Sequence, residues 1–155
     1  MYRDDEPFFR AVPGFAEPAA LREMNGVTMA FIGDAVYELL VRDHVLSVWN
    51  GRVELLHKKT VSFSNAAFQS AAAKALLPTL TEEEQAVFRR GRNAHTAHTP
   101  KNKTRADYHL ATGLEAVFGY LYLTKREQRI ASLFQAIVKM NEEYENAKNQ
   151  SNKDA

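Results

Sequence analysis

Cysteine is absent from this chain of 155 residues, so no disulfide framework, thiolate zinc site or cysteine nucleophile is available to it. A surplus of either charge is also missing. Lys and Arg number 20 against 19 Asp and Glu, a formal net charge of +1, and overall charge therefore argues neither for nor against nucleic acid. Long apolar runs are lacking too. The longest nearly uncharged stretch, Leu110 to Leu123, is broken by Glu115 and falls short of the roughly 20 residues that span a bilayer, so a buried helix is expected there and no membrane. No basic, apolar leader opens the chain: the first 18 residues hold three of the five prolines and the acidic run Asp4, Asp5, Glu6, and a cytoplasmic location is expected.

Strand-type alternation of apolar and polar residues does not persist over any useful length, and no internal repeat is visible. What remains is helical periodicity, and the expected fold class is all-α, one domain of about five main helices plus short ones. Residues 1–18 read as a poorly ordered N-terminal arm, 19–145 as the folded domain and 146–155 as a polar, frayed tail. A central helix buried on every side is expected from about Thr28 to Val48. A second helical region follows from about Val53 to Leu76, stopped by Pro78. Thr81 followed by Glu84 is a capping-box pattern that opens a third helix toward Arg92. A fourth helix is expected over about Arg105 to Leu123, and a fifth, amphipathic, over about Lys125 to Glu145 with Ile130, Leu133, Phe134, Ile137 and Val138 turned inward.

Two acids sit badly in this pattern. Asp34 shares helical spacing with Ala30, Phe31, Tyr37 and Val41, and Glu115 is the only charge between His109 and Lys125. An isolated ionised carboxylate in an apolar setting costs several kcal/mol even after relaxation, so each must be paired, protonated or metal-bound. Pairing with a nearby Arg or Lys is the ordinary outcome for a single such acid. With two of them, and with Gly33 and Gly119 beside them to let helices approach closely, a shared hard cation becomes an alternative. Mg²⁺ suits carboxylates and supports phosphodiester hydrolysis. Glu38 lies one turn beyond Asp34 but is spaced for an i,i+4 pair with Arg42. Asp107 is about 12 Å along a helix from Glu115 and is not expected to share a ligand with it.

Cationic residues are concentrated where acids are missing. No Asp or Glu falls between Glu84 and Asp107, whereas Arg89, Arg90, Arg92, Lys101, Lys103 and Arg105 all do. The polar loop within this segment is long for a helical connection, and such loops often carry function. His95 and His98 have a metal-like His-x-x-His spacing, but with no cysteine and no obvious further ligand they read as loop histidines. No Gly-x-Ser-x-Gly turn supports serine chemistry.

At these residues the sequence resembles the ribonuclease III family. Its first signature is matched by Phe31-Ile32-Gly33-Asp34-Ala35-Val36 and its second by Glu115-Ala116-Val117-Phe118-Gly119. The likeness is strongest to the Mini-ribonuclease III branch, which lacks the separate RNA-binding domain. It rests there on Ile32 to Glu38, Leu56-His57-Lys58-Lys59, Arg90-Gly91-Arg92-Asn93-Ala94, Pro100-Lys101-Asn102 and Gly119-Tyr120-Leu121-Tyr122-Leu123, and covers roughly Val27 to Ile137. The resemblance implies a homodimeric, Mg²⁺-dependent endoribonuclease for double-stranded RNA that leaves 5′-phosphate and 3′-hydroxyl ends. Asp34 and Glu115 match its catalytic, metal-binding acids.

Departures from the full-length enzymes matter as well. Ala30 and Thr112 stand where those enzymes carry two further acids, which reduces the expectation to one Mg²⁺ per site. Arg92, Asn93, Lys101, Asn102 and Lys103 are expected to contact RNA, reading an A-form duplex by shape through phosphates and 2′-hydroxyls. Phe31 matches an aromatic position that packs into the partner subunit. The branch further implies maturation of 23S rRNA ends from a precursor stem, with a ribosomal-protein helper on the same RNA to offset weak, salt-dependent binding. Two other readings stand beside this one: a non-catalytic RNA-binding or ribosome-assembly factor, and a helical protein-interaction domain.

Overall fold

A computed structural model describes residues 18–94 and 104–155. Among the described residues there are seven α-helices and no strand: α1 Pro18–Glu23, α2 Gly26–Val48, α3 Val53–Ser64, α4 Ala66–Leu76, α5 Glu82–Arg92, α6 Arg105–Leu123 and α7 Glu127–Lys153, with a 3₁₀ turn at Leu77–Thr79. The all-α expectation holds. None of these helices is long and apolar enough to cross a membrane.

Local chemistry sets most of the boundaries. The Asn25 side chain accepts the Thr28 N–H at 2.8 Å and starts α2. The capping box forms as expected: Thr81 Oγ1 accepts the Glu84 N–H at 3.1 Å, and the Glu84 carboxylate accepts the Thr81 N–H at 3.0 Å. Thr104 caps α6 by accepting the Asp107 N–H at 3.1 Å. That helix ends with Lys125 in the left-handed region (φ 64°), where the Arg126 N–H reaches back to the Leu121 carbonyl at 2.9 Å.

Three expectations are corrected. The second helical region is two helices, because Asn65 adopts an extended backbone and serves both ends. Its Nδ2 donates to the Val61 carbonyl, and its Oδ1 accepts the Phe68 N–H. The tail expected to fray from residue 146 is helical as far as Lys153. Its side chains stand in solvent, and with no Gly or Pro in the run each added residue extends the already nucleated α7 by one hydrogen bond. The third correction concerns α2. It is apolar all round, yet in the single chain only one side is covered: Phe31 is 83% exposed and Leu46 67%, with Val27, Leu39 and Val48 also open. The helix buried on nearly every face is α6, which packs against α2, α4, α5 and α7.

The core gathers around α6. Tyr37, Phe63, Phe68, Phe88 and Phe118 are fully buried, and burying side chains of this size stabilises by about 2–3 kcal/mol each. Tyr37 meets Phe118 edge-on at 5.6 Å, and its hydroxyl donates to the Phe63 carbonyl at 2.7 Å, which satisfies the one polar atom that the ring carries inward.

Candidate active site

Two glycines decide how α2 and α6 meet. A Cβ on Gly33 would overlap the Glu115 carbonyl oxygen, and one on Gly119 would overlap the carbonyl of Met29 and lie 3.1 Å from the Gly33 N. The helices therefore touch backbone to backbone, a distance that any side chain at these two positions would forbid. Asp34 follows Gly33 directly and Glu115 is the residue whose carbonyl Gly33 covers, so the crossing brings the two acids to neighbouring positions on separate helices.

Neither acid is buried in the way the spacing suggests. Asp34 is exposed and Glu115 half-buried. Ala30, Tyr37 and Val41 do face the core, but Phe31 and Asp34 lie at the open side of the same helix. The reason is the uniform apolarity of α2, which gives spacing no means of telling the covered face from the open one. The Glu115 and Glu38 charges are both close enough to the Tyr37 hydroxyl to add to the effect of burial, and together they push its ionisation well above the ordinary tyrosine range. Tyr37 thus stays a neutral donor. Glu38 accepts from Arg42 Nε at 2.8 Å, the i,i+4 pair that its spacing predicts.

Oxygen donors on this scale suit a hard cation that keeps water and substrate oxygens in its shell. Among the described residues no group of three or more His, Asp or Glu is arranged to hold a metal.

The basic segment divides on inspection. Arg92 is half-buried, and its Nε donates to the exposed Asn93 side chain at 3.2 Å, at the C-terminal end of α5. Lys101, Asn102, Lys103, His95 and His98 lie outside the described residues. Arg90, one of the same cationic run, turns inward: Nη1 donates to the Arg22 carbonyl at 3.0 Å and Nη2 approaches the Met29 sulfur at 3.6 Å. Nothing in the local pattern separates it from Arg89 or Arg92; only the tertiary fold does. Asp107 lies in the first turn of α6, where its N–H donates to the capping Thr104 hydroxyl.

Known proteins match this arrangement over most of its length. A model of the Ribonuclease III domain matches residues 27–126. Mini-ribonuclease 3 of Clostridium tetani is 40% identical over 124 residues, 79% of this chain and 82% of the relative. Mini-ribonuclease 3 of Thermoanaerobacter sp. is 38% identical over 140 residues, 86% of this chain and 99% of the relative. A crystal structure of a Fusobacterium nucleatum protein superposes with a TM-score of 0.71 at 32% identity, covering 76% of this chain and 96% of that one. The chain belongs to the ribonuclease III family of endoribonucleases for double-stranded RNA, on its Mini-ribonuclease 3 branch.

Proposed function

We propose that the chain is a Mg²⁺-dependent endoribonuclease that works as a homodimer in the cytoplasm, cuts duplex RNA to 5′-phosphate and 3′-hydroxyl ends, and matures 23S rRNA from its precursor stem. The observation that supports this reading is the glycine-mediated crossing, at which Gly33, next to the exposed Asp34, packs on the backbone of the half-buried Glu115. Asp34 and Glu115 are the catalytic carboxylates and would hold the cation through their side-chain oxygens. When bound, that cation supplies Lewis acidity toward the phosphodiester and toward the attacking water. Arg92 and Asn93, together with Lys101, Asn102 and Lys103, contact phosphates and 2′-hydroxyls and set the duplex across the acid pair. A ribosomal protein on the same RNA helps to select the stem.

The homodimer is supported by the open apolar side of α2. Phe31, Leu39 and Leu46 recur at helical spacing on a surface that a monomer would keep from water, and a two-fold axis through it would use each contact twice. Phe31 lies three residues from Asp34, so the interface would adjoin the cleavage sites.

The test is incubation of purified protein with long duplex RNA, with Mg²⁺ or with chelator, beside the Asp34→Asn variant. Discrete fragments that require Mg²⁺ and disappear in the variant, with RNA binding kept, support the enzyme. Retarded but intact RNA under every condition supports instead the non-catalytic RNA-binding factor.

A further inference from the structure

We infer that Arg90 is a positioning residue of the nuclease site: it contacts no RNA, and it fixes the base of the RNA-contacting segment to the helix that carries Asp34. The inference rests on the assignment of Arg92, Asn93 and the following loop to RNA binding.

The geometry begins at the C-terminal end of α5. There the Arg90 guanidinium is half-buried and reaches across to two other helices. One nitrogen donates to the Arg22 carbonyl at the end of α1, and the other lies 3.6 Å from the Met29 sulfur in the first turns of α2. The main chain of the same turn is equally engaged. A Cβ on Gly26, the first residue of α2, would overlap the Arg90 carbonyl and come within 2.5 Å of the Gly91 N. Gly91 in turn lies against α6: a Cβ there would meet the Thr112 carbonyl at 2.9 Å and the Ala116 Cβ at 2.7 Å, on either side of Glu115.

Met29 closes the circuit. Its carbonyl is the group that Gly119 covers at the α2–α6 crossing, while its sulfur faces Arg90. One guanidinium therefore sits between the close crossing of α2 and α6 and the point, two residues on, where Arg92 and Asn93 begin the segment assigned to RNA contact. An arginine suits this role because its planar fork donates along two directions at fixed angles, whereas a lysine offers a point charge on a flexible stem. The consequence is register: the distance between phosphate contacts and the acid pair is set through Arg90.

Substitution separates this role from a phosphate contact. Arg90→Lys keeps the charge and loses the fork, Arg90→Gln keeps a planar donor and loses the charge, and both are compared with wild type at a temperature well below their melting points. A positioning role predicts that Lys does not rescue: kcat/KM on duplex RNA falls about tenfold in both variants and the cut positions spread by one or more nucleotides. The slope of log affinity against log salt stays as in wild type, because no phosphate contact has been removed. Restoration by Lys, with a salt slope in Arg90→Gln shallower by about one, would make Arg90 an RNA contact and overturn the inference. Wild-type kcat/KM in both variants would overturn it as well. Hydrogen exchange gives a readout free of catalysis: the amides of Leu21 to Met29 exchange faster in both variants, and unchanged exchange counts against the inference. If wild-type protein cuts no RNA, the nuclease reading fails by itself, and the exchange result alone decides what Arg90 holds in place.

Discussion

Gly33 and Glu115 touch through their backbones: the space a Cβ would need on the glycine is filled by the glutamate's carbonyl oxygen. The catalytic reading depends on this contact, since it turns two distant sequence positions into neighbours. Ala at position 33 or 119 forces the helices apart. We expect Gly33→Ala and Gly119→Ala each to lower unfolding stability by about 2–4 kcal/mol, in the range of severe overpacking. Urea unfolding followed by circular dichroism measures this, and a change below about 0.5 kcal/mol would mean that the crossing is looser than the structure shows.

Phe31 separates assembly from folding. Because the ring is 83% exposed in the single chain, Phe31→Ala leaves protomer stability close to wild type. If it anchors a two-fold interface, the substitution weakens self-association by about 2 kcal/mol, roughly 30-fold in dissociation constant. Sedimentation equilibrium gives the number. Equal self-association of the two proteins would remove Phe31 from the interface.

Glu84 gives the acid limb of stability. It is 2% exposed, accepts from Arg129 at 2.8 and 2.9 Å, and its carboxyl is held below the ordinary 4.5 chiefly by those hydrogen bonds. A lowered folded-state value means that its contribution is complete above about 4.5 and is lost as pH falls through the folded value. We therefore expect Glu84→Gln to cost about 1–2 kcal/mol at pH 7 and progressively less below pH 4.5. Chemical unfolding at several pH values tests this; a penalty that does not shrink in acid contradicts the pair.

How much of this was legible beforehand varies with the physics that set each feature. The ends of α5 and α6 follow from Thr81, Glu84 and Thr104, whose capping is local, and both matched the sequence reading. The close crossing of α2 and α6 was legible through Gly33 and Gly119. The break at Asn65 was hidden because an asparagine inside a helical run looks like a tolerated residue until its side chain is seen closing one helix and opening the next. The open side of α2 was hidden for a different reason: apolar residues there serve a protomer surface, and periodicity cannot distinguish that from core. Arg90 was hidden because its partners, Arg22 and Met29, are more than sixty residues away in sequence.

Lys125 is a small reserve of strain. A non-glycine residue at φ 64° after the last turn of α6 sits where glycine carries no steric penalty. Lys125→Gly is expected to raise stability by about 0.5–1 kcal/mol, visible as an increase in melting temperature with activity unchanged. A lower melting temperature would show that the lysine side chain contributes more than its backbone costs.

The central claim is that Asp34 and Glu115 hold one divalent cation between them. Calorimetric titration of the RNA-free protein with Mn²⁺, as a spectroscopically visible substitute for Mg²⁺, tests it most directly, with paramagnetic resonance to count bound ions. The account predicts one ion per protomer in the wild type and at least tenfold weaker binding in Asp34→Asn and in Glu115→Gln, with both variants folded. Undiminished binding in either variant, or none in the wild type, would contradict it.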